Sequence, residues 1–401
     1  MRVRTGTLVT SKEAMAEPAA GLNRRQWFAW SAGASAAMAG KVTAQPRSNT
    51  DAGRTLVVAQ VVDFSRGEQD ISRDFLIGSR SAWQDLNARG GVHGRPVQHI
   101  ALETDGTPAS LKTAWQTAHR QAGCVALSGC AGNTAAAGLV ALQATADSGS
   151  AMALIAPWLH NAVTDTEAET VFEIFPHHQT QIAHAIKTHA SLGMQQIGVV
   201  FANAQVQQAS QAYVLQVAKS LGLEAQILPL PGTQGPAAIA LTTTAQAVVL
   251  FVGGTPELHA FTSKLVATPG RQCFIVALAD VNLQVLAQMG GAPKGISIIA
   301  TQAVPLITSS LPVVRAYRDA LGRFFDEPPS PQGLAGFIAA RYTAEIMGSI
   351  SGPITRAALL FALQRRADVN MGGYIVAYRG KKRANAYVTQ SMLTQDGRII
   401  G

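Results

Sequence analysis

Aromatic residues are scarce in this 401-residue chain, at 6%, and charged residues make up only 14%. Platforms that stack single-stranded nucleic acid need exposed rings, so the first shortage counts against that class. The second, beside 47% apolar residues, excludes a disordered chain. Beyond the first 50 positions no run of 18 apolar residues occurs, so the body is not a membrane bundle. Only three cysteines occur, Cys124, Cys130 and Cys273, and none has Cys-x-x-Cys spacing. A cysteine metal site is therefore not expected. Cys124 and Cys130 bracket a stretch that reads as a buried strand, which would hold them roughly 20 Å apart. A disulfide tolerates only about 7 Å between Cα atoms, so none is expected there. The phosphate loop Gly-x-x-x-x-Gly-Lys and the dinucleotide pattern Gly-x-Gly-x-x-Gly are missing, as are the Gly-x-Ser-x-Gly elbow and His-Glu-x-x-His. No catalytic residue and no cofactor is expected.

The net charge of +8 suggests a polyanionic partner until its distribution is considered. Residues 1–44 hold Arg2, Arg4, Lys12, Arg24, Arg25 and Lys41 against Glu13 and Glu17, and without them the net charge falls to +4. The one dense basic cluster left is Arg379, Lys381, Lys382 and Arg383, which reads as a solvated turn. No nucleic-acid partner is expected. Arg24 and Arg25 precede Trp27 and Phe28, and a mild Ala/Gly/Ser stretch follows. Val42-Thr43-Ala44 offers a small-residue cleavage point. Residues 1–44 thus resemble a twin-arginine export signal, and the expected location of the body is the periplasm.

From residue 55 onward, short apolar runs alternate with longer helical patterns. Strands are expected at 55–62, 97–103, 124–129, 151–156 and 170–175. Helices are expected at 74–88, 108–121, 134–146 and 179–192. A second series follows: strands at 196–201, 224–229, 247–252, 273–277 and 295–304, helices at 208–221, 237–244 and 257–266. Helices at 311–324, 331–350 and 355–364 precede a hairpin-like pair, 373–378 with 386–393. Alternation at this spacing means βαβ units and parallel sheets. The two series predict an α/β protein of two doubly wound lobes. Ligands in such sheets sit beyond the carboxyl ends of the strands, so a cleft lined by post-strand loops is expected.

Several motifs occur in a telling order. Asn87-Ala88-Arg89-Gly90-Gly91-Val92-His93-Gly94-Arg95-Pro96 resembles the Asn-x-x-Gly-Gly-x-x-Gly-Arg-Pro signature of type I periplasmic binding proteins, in particular the branched-chain amino-acid branch of ABC-transporter solute-binding proteins. Asp105-Gly106-Thr107-Pro108, Ser128-Gly129-Cys130-Ala131-Gly132-Asn133-Thr134, Val252-Gly253-Gly254-Thr255-Pro256-Glu257 and Gln302-Ala303-Val304-Pro305 resemble later segments of that family. The resemblance spans roughly 55–401. It implies two lobes joined by a three-strand hinge. Lobe one would take 54–175 plus 302–383 and lobe two 176–301 plus 384–401, with crossings near Phe175, Thr301 and Asn385. It further implies a monomer that captures an amino-acid-like or organic-acid ligand and hands it to a membrane ABC permease. A sensor kinase or chemoreceptor is the alternative partner, and a nucleotide-using α/β enzyme a third reading.

An amino acid in a closed cleft needs donors for its carboxylate, acceptors for its ammonium and a pocket for its side chain. Ser128, Asn133 and Thr134 stand between a strand and a helix, where free N–H groups favour an anion. Asn133 or Thr134 is alternatively only the helix N-cap. Asp280 and Thr255 are rim candidates for the ammonium. Trp158 is a candidate wall, with Phe64 and Ser65 in a similar position, and Asn203 and Gln205 are candidate hydrogen-bonding groups. Residues 172–178 and 203–206 depart from the family's pattern, so the resemblance does not fix the ligand. His177, His178 and His184 invite a metal reading, but no carboxylate completes the set. They read as surface histidines, and no metal site is expected.

Overall fold

A computed structural model describes residues 56–65, 67–146, 151–229, 239–240, 247–266, 270, 272–384 and 387–401. The leader expected over 1–44 and the crossing expected near Asn385 lie outside these residues. So does most of the helix expected over 237–244, of which Ile239–Ala240 is instead a strand.

The first series builds one parallel sheet from β1 (Leu56–Asp63), β2 (Val97–Thr104), β3 (Cys124–Ser128), β4 (Ala153–Ile155) and β5 (Val171–Phe172), in the order β2-β1-β3-β4-β5. All eight residues of β1 are buried, as a strand covered on both faces requires. Its one amide, Gln60, is satisfied by the neighbouring loop, with Nε2 donating to the Gly129 carbonyl at 2.6 Å. Helices α1 (Gln69–Ala88), α2 (Pro108–Arg120) and α3 (Asn133–Ala144) connect these strands. The chain then leaves for α4 (His178–Ser191) and a second sheet. That sheet is laid down by β6 (Gln196–Phe201), α5 (Ala204–Ser220), β7 (Glu224–Ile227), β8 (Ile239–Ala240), β9 (Val248–Val252), α6 (Thr255–Thr262), β10 (Leu265–Val266), β11 (Cys273–Ala277), α7 (Leu283–Gln288) and β12 (Ile296–Gln302). Among the described residues β8 and β10 pair with each other, as a two-stranded ribbon apart from that sheet.

After β12 the chain returns to the first sheet with α8 (Pro312–Phe324), α9 (Pro331–Gly348) and α10 (Arg356–Gln364). Two small ribbons follow, β13 (Val369–Met371) with β14 (Tyr374–Val376), and β15 (Tyr378–Arg379) with β16 (Lys382–Arg383). Finally β17 (Thr389–Leu393) and β18 (Ile399–Ile400) join the edge of the second sheet, completing the order β18-β17-β12-β11-β9-β6-β7. The fold is therefore α/β with two doubly wound sheets, of five and seven strands. The expected pairing of 373–378 with 386–393 is corrected. β14 stays with β13, while β17 runs antiparallel to β12. Local turn signals suggested a hairpin, although the family resemblance assigned the two segments to different lobes.

Two other differences have local causes. α1 begins five residues before the expected Asp74, because its first turn, Gln-Asp-Ile-Ser-Arg, is too polar to show an apolar period. α7 was not expected; at six residues it is shorter than two turns and is set by the Asn282 cap, whose Oδ1 accepts from Gln284 N and Val285 N. The family-like motif after α1 is a structural device. Asn87 accepts from Val97 N at 2.9 Å and donates to Val97 O at 2.8 Å, pinning β2 to the end of α1. Gly91 has φ +73°, and a Cβ there would lie 2.0 Å from the Arg95 carbonyl oxygen.

Apolar clusters cover both faces of each sheet. α9 is buried nearly all round, between α1 and the strands, and the Ser79 hydroxyl of α1 donates to its Gly336 carbonyl at 3.1 Å. No helix among the described residues is long and apolar enough to cross a membrane. The three cysteines are buried thiols. On β2, His99 stacks on Trp83 of α1, ring centroids 6.3 Å apart. Burial, aided by the Arg80 charge, pushes its pKa from 6.5 down to about 3. Below pH 6.5 the unfolded chain takes up a proton that the folded one refuses. Stability should therefore fall with pH between these values, by at most about 1.4 kcal/mol per unit. His99→Phe should flatten that slope in acid denaturant titrations, and an unchanged slope would refute the assignment.

Candidate functional site

In each sheet the strand order reverses beside the first strand of its series, between β1 and β3 and between β6 and β9. Such points open a crevice at the carboxyl ends of the strands. A cavity of about 320 Å3 lies there. Its lining comes from both sheets: Gly67 and Glu68 after β1, Thr134 after β3, Asn203 and Gln205 after β6, and Gly253, Gly254 and Glu257 after β9. His160, His178 and Asp280, after β4, β5 and β11, complete one wall. The cavity thus meets the N-terminal ends of α1, α3, α5 and α6, whose first N–H groups lack intrahelical partners. α3 begins at Asn133 behind Gly132, which supplies no side-chain cap. The alternative that Asn133 or Thr134 is the N-cap is therefore corrected. α5 is different, since Asn203 Oδ1 caps it by accepting from Val206 N at 3.0 Å.

The eight candidate side chains separate into two groups. Thr134, Asn203 and Asp280 line the cavity, as does Gln205, while Asn133 is the first residue of α3. Ser65, Ser128, Trp158 and Thr255 are not among the lining residues. Strand alternation turns the Ser128 hydroxyl away from the rim, onto Thr343 of α9 at 2.6 Å. Ser65 N donates to Asp63 Oδ1 at 2.8 Å, and the residue packs beside Gly106 of the loop after β2. Thr255 is buried and its Oγ1 accepts from Asn282 N at 2.9 Å, steadying the α6–α7 corner. Trp158 packs on Phe75 and Phe175, with centroids 6.2 and 5.2 Å away.

Trp158 nevertheless reaches the site, since its Nε1 donates to Asp280 Oδ1 at 3.2 Å. His160 Nε2 lies 3.1 Å from the same oxygen, and His178 Nε2 lies 2.5 Å from Oδ2. The imidazoles stack at 3.6 Å, and His178 N donates to His160 O at 3.0 Å. Burial would push the Asp280 carboxyl up, but the two imidazoles beside it outweigh that and hold it well below the usual carboxylate range. Burial likewise opposes charge on His160, yet the Asp280 carboxylate overcomes it and raises that pKa. His178 is lowered by burial and by its neighbour His160. Asp280 is therefore already engaged by two imidazoles and an indole N–H rather than a bare acceptor for an ammonium.

Reading His178 as a surface histidine is also corrected: it is 8% exposed, against Asp280. The carboxylate missing from the expected set stands 102 residues away along the chain. His160 was missed altogether, although the loop after β4 that drew attention to Trp158 contains it. Glu68 and Glu257 were missed too, and the same rule, residues just past a strand's carboxyl end, would have found them. The two halves of the site are tied together nearby. Asn282 Nδ2 donates to Asp74 Oδ2 at 3.1 Å, Gln284 Nε2 to Pro329 O at 2.6 Å, and Gln332 Nε2 to Ala279 O at 3.1 Å.

Known proteins agree with this architecture. An extracellular ligand-binding receptor from Verminephrobacter eiseniae superposes with a TM-score of 0.73 at 17% identity, covering 86% of this chain and 100% of its own. A substrate-binding periplasmic protein from Ralstonia solanacearum gives 0.70 at 21%, covering 86% and 99%. The branched-chain amino acid transporter substrate-binding protein of Streptococcus pneumoniae, solved with isoleucine, gives 0.64 at 14%, covering 84% and 99%. No curated protein matches the sequence. The periplasmic binding protein family matches residues 55–397, nearly the whole described body. With two sheets, a cavity at both reversal points and that match, the chain belongs to the periplasmic binding protein family.

Proposed function

We propose that this protein captures a small amino-acid-like or organic-acid ligand in the cavity between its two sheets, and delivers it in the periplasm to an ABC importer. The observation that carries this reading is the convergence of four helix N-termini on one cavity shared by both sheets. Such ends attract a carboxylate, which the first N–H groups of α3 bind without competition from a side-chain cap. Glu68 and Glu257 supply negative charge for an opposing cationic group. The S. pneumoniae relative solved with isoleucine supports the ligand class. On this reading the lobes are 54–175 plus 302–383 and 176–301 plus 384–401, and the crossing segments are the hinge that lets them close as a monomer. Residues 1–44 are the export leader. The activity is binding, without catalysis.

The test is thermal unfolding of the protein in chelator-treated buffer with amino acids, short organic acids, aromatic acids and short amides. A ligand at a hundredfold over its dissociation constant should add about 2.7 kcal/mol. That corresponds to a few degrees in midpoint for a body of this size. If no member of the four classes raises the midpoint, the proposed ligand class is wrong.

A further inference from the structure

We propose that His160, His178 and Asp280 form a three-ligand site for a divalent transition-metal ion, with its remaining coordination positions open to the cavity. Nothing in the binding of an amino acid calls for two imidazoles gathered on one buried carboxylate of the cavity wall. The trio offers one donor atom from each residue, all within 4.8 Å of one another, and the Nε2 atoms of His160 and His178 face the Asp280 oxygens. Zinc bonds of about 2.0–2.2 Å place tetrahedral ligands roughly 3.3 Å apart, within the span of the trio, and the two imidazoles, stacked at 3.6 Å, must turn so that both converge on the ion. Two nitrogens and one oxygen suit Zn2+, Ni2+ or Co2+, whereas Mg2+ and Ca2+ favour all-oxygen shells.

The surroundings resemble the support that metal ligands need. The Trp158 indole N–H fixes Asp280 Oδ1 from outside the trio, at 3.2 Å. The His178 N to His160 O hydrogen bond, 3.0 Å, holds the two imidazole-bearing segments in register. All three side chains line the same cavity, together with Glu68 and Glu257. Three protein ligands with open positions are the arrangement that leaves an ion accessible to a further molecule. His160 belongs to the loop after a strand of the first sheet and Asp280 to one of the second, so the ion would bridge the halves of the cleft. Its physiological role rests on the capture reading above: the cargo is the ion itself, or the ion held by a small carboxylate chelator. The ion's binding does not depend on that reading.

The test is calorimetric titration of the chelator-stripped full-length protein with Zn2+, Ni2+ and Co2+, alone and with citrate or free histidine. One ion per chain is expected, with visible d–d absorption for Co2+ from a nitrogen-containing shell. His160→Ala and Asp280→Asn should each weaken binding at least about 100-fold, while His184→Ala leaves it unchanged. If Asp280→Asn fails to fold, His160→Ala alone decides, since His160 is the least buried of the three. Tighter binding with a chelator present identifies a chelate cargo; binding of the bare ion identifies the ion. No stoichiometric binding in either arm overturns the site, and so does binding that survives His160→Ala. Because the amino-acid and organic-acid panel is run in chelator-treated buffer with no metal added, its outcome stands apart from this one.

Discussion

Gly336→Ala should cost about 3 kcal/mol or more in denaturant unfolding, an unusual price for one methyl group. A Cβ at Gly336 would lie 1.9 Å from the Phe75 carbonyl oxygen and 3.0 Å from Ser79 N. Both are backbone atoms of α1, so no rotamer change relieves the overlap and the helices must part. α9 is buried on almost every side, which leaves little room for that movement. The Phe75 ring meets Trp158 and Phe175 edge-on, at 6.2 and 6.1 Å. A displaced α1 is therefore felt by the residue whose indole holds Asp280, and ligand binding should weaken along with stability. A variant with the parental midpoint would show that the two helices are not packed as closely as described.

Asp280→Ala should be the most damaging change at the site. It leaves the Trp158 indole N–H and two imidazoles around a vacated carboxylate, in a spot where Asp280 is only 5% exposed. Removing one partner of a buried ion pair typically costs about 3–5 kcal/mol. Binding of any ligand found in the panel should weaken at the same time, because Asp280 lines the cavity. Asp280→Asn keeps the shape and an acceptor for Trp158, so it should cost less stability while still impairing binding. The sign with pH follows from the shifted groups. The stabilisation from Asp280, whose folded pKa is depressed, is present above the ordinary carboxylate range and lost on strong acidification. That from His160, whose folded pKa is raised, is full below pH 6.5 and lost as the pH climbs through the folded value. Equal stability of Asp280→Ala and the parent would mean that the trio is not a stabilising unit.

The fold was largely legible in the sequence because fully buried parallel strands are unbroken apolar runs, and β6 and β11 fall at the expected residues. What escaped was set by contacts distant in sequence or by elements too short to show a period. The partners of β14 and β17 depend on which sheet the chain has returned to, and α7 depends on one cap. The site was half legible for the same reason. A rule about strand ends located Thr134, Asn203 and Asp280, but it is silent on which way a side chain turns. Ser128 follows the strand alternation into α9, and Thr255 turns to the backbone of Asn282. The union of His160, His178 and Asp280 brings together residues 120 and 102 positions apart, a juxtaposition that only the folded chain creates.

The central claim is that one ligand is held between residues of both sheets. Its most direct measurement is calorimetric titration of a stabilising panel member into the parent protein, Thr134→Ala and Gln205→Ala. These two residues line the cavity from α3 on the first sheet and from α5 on the second, and neither is buried. One site per chain is expected, with affinity reduced by both substitutions and stability little changed. A ligand whose affinity responds to neither would lie elsewhere, and the cleft would not be the binding site.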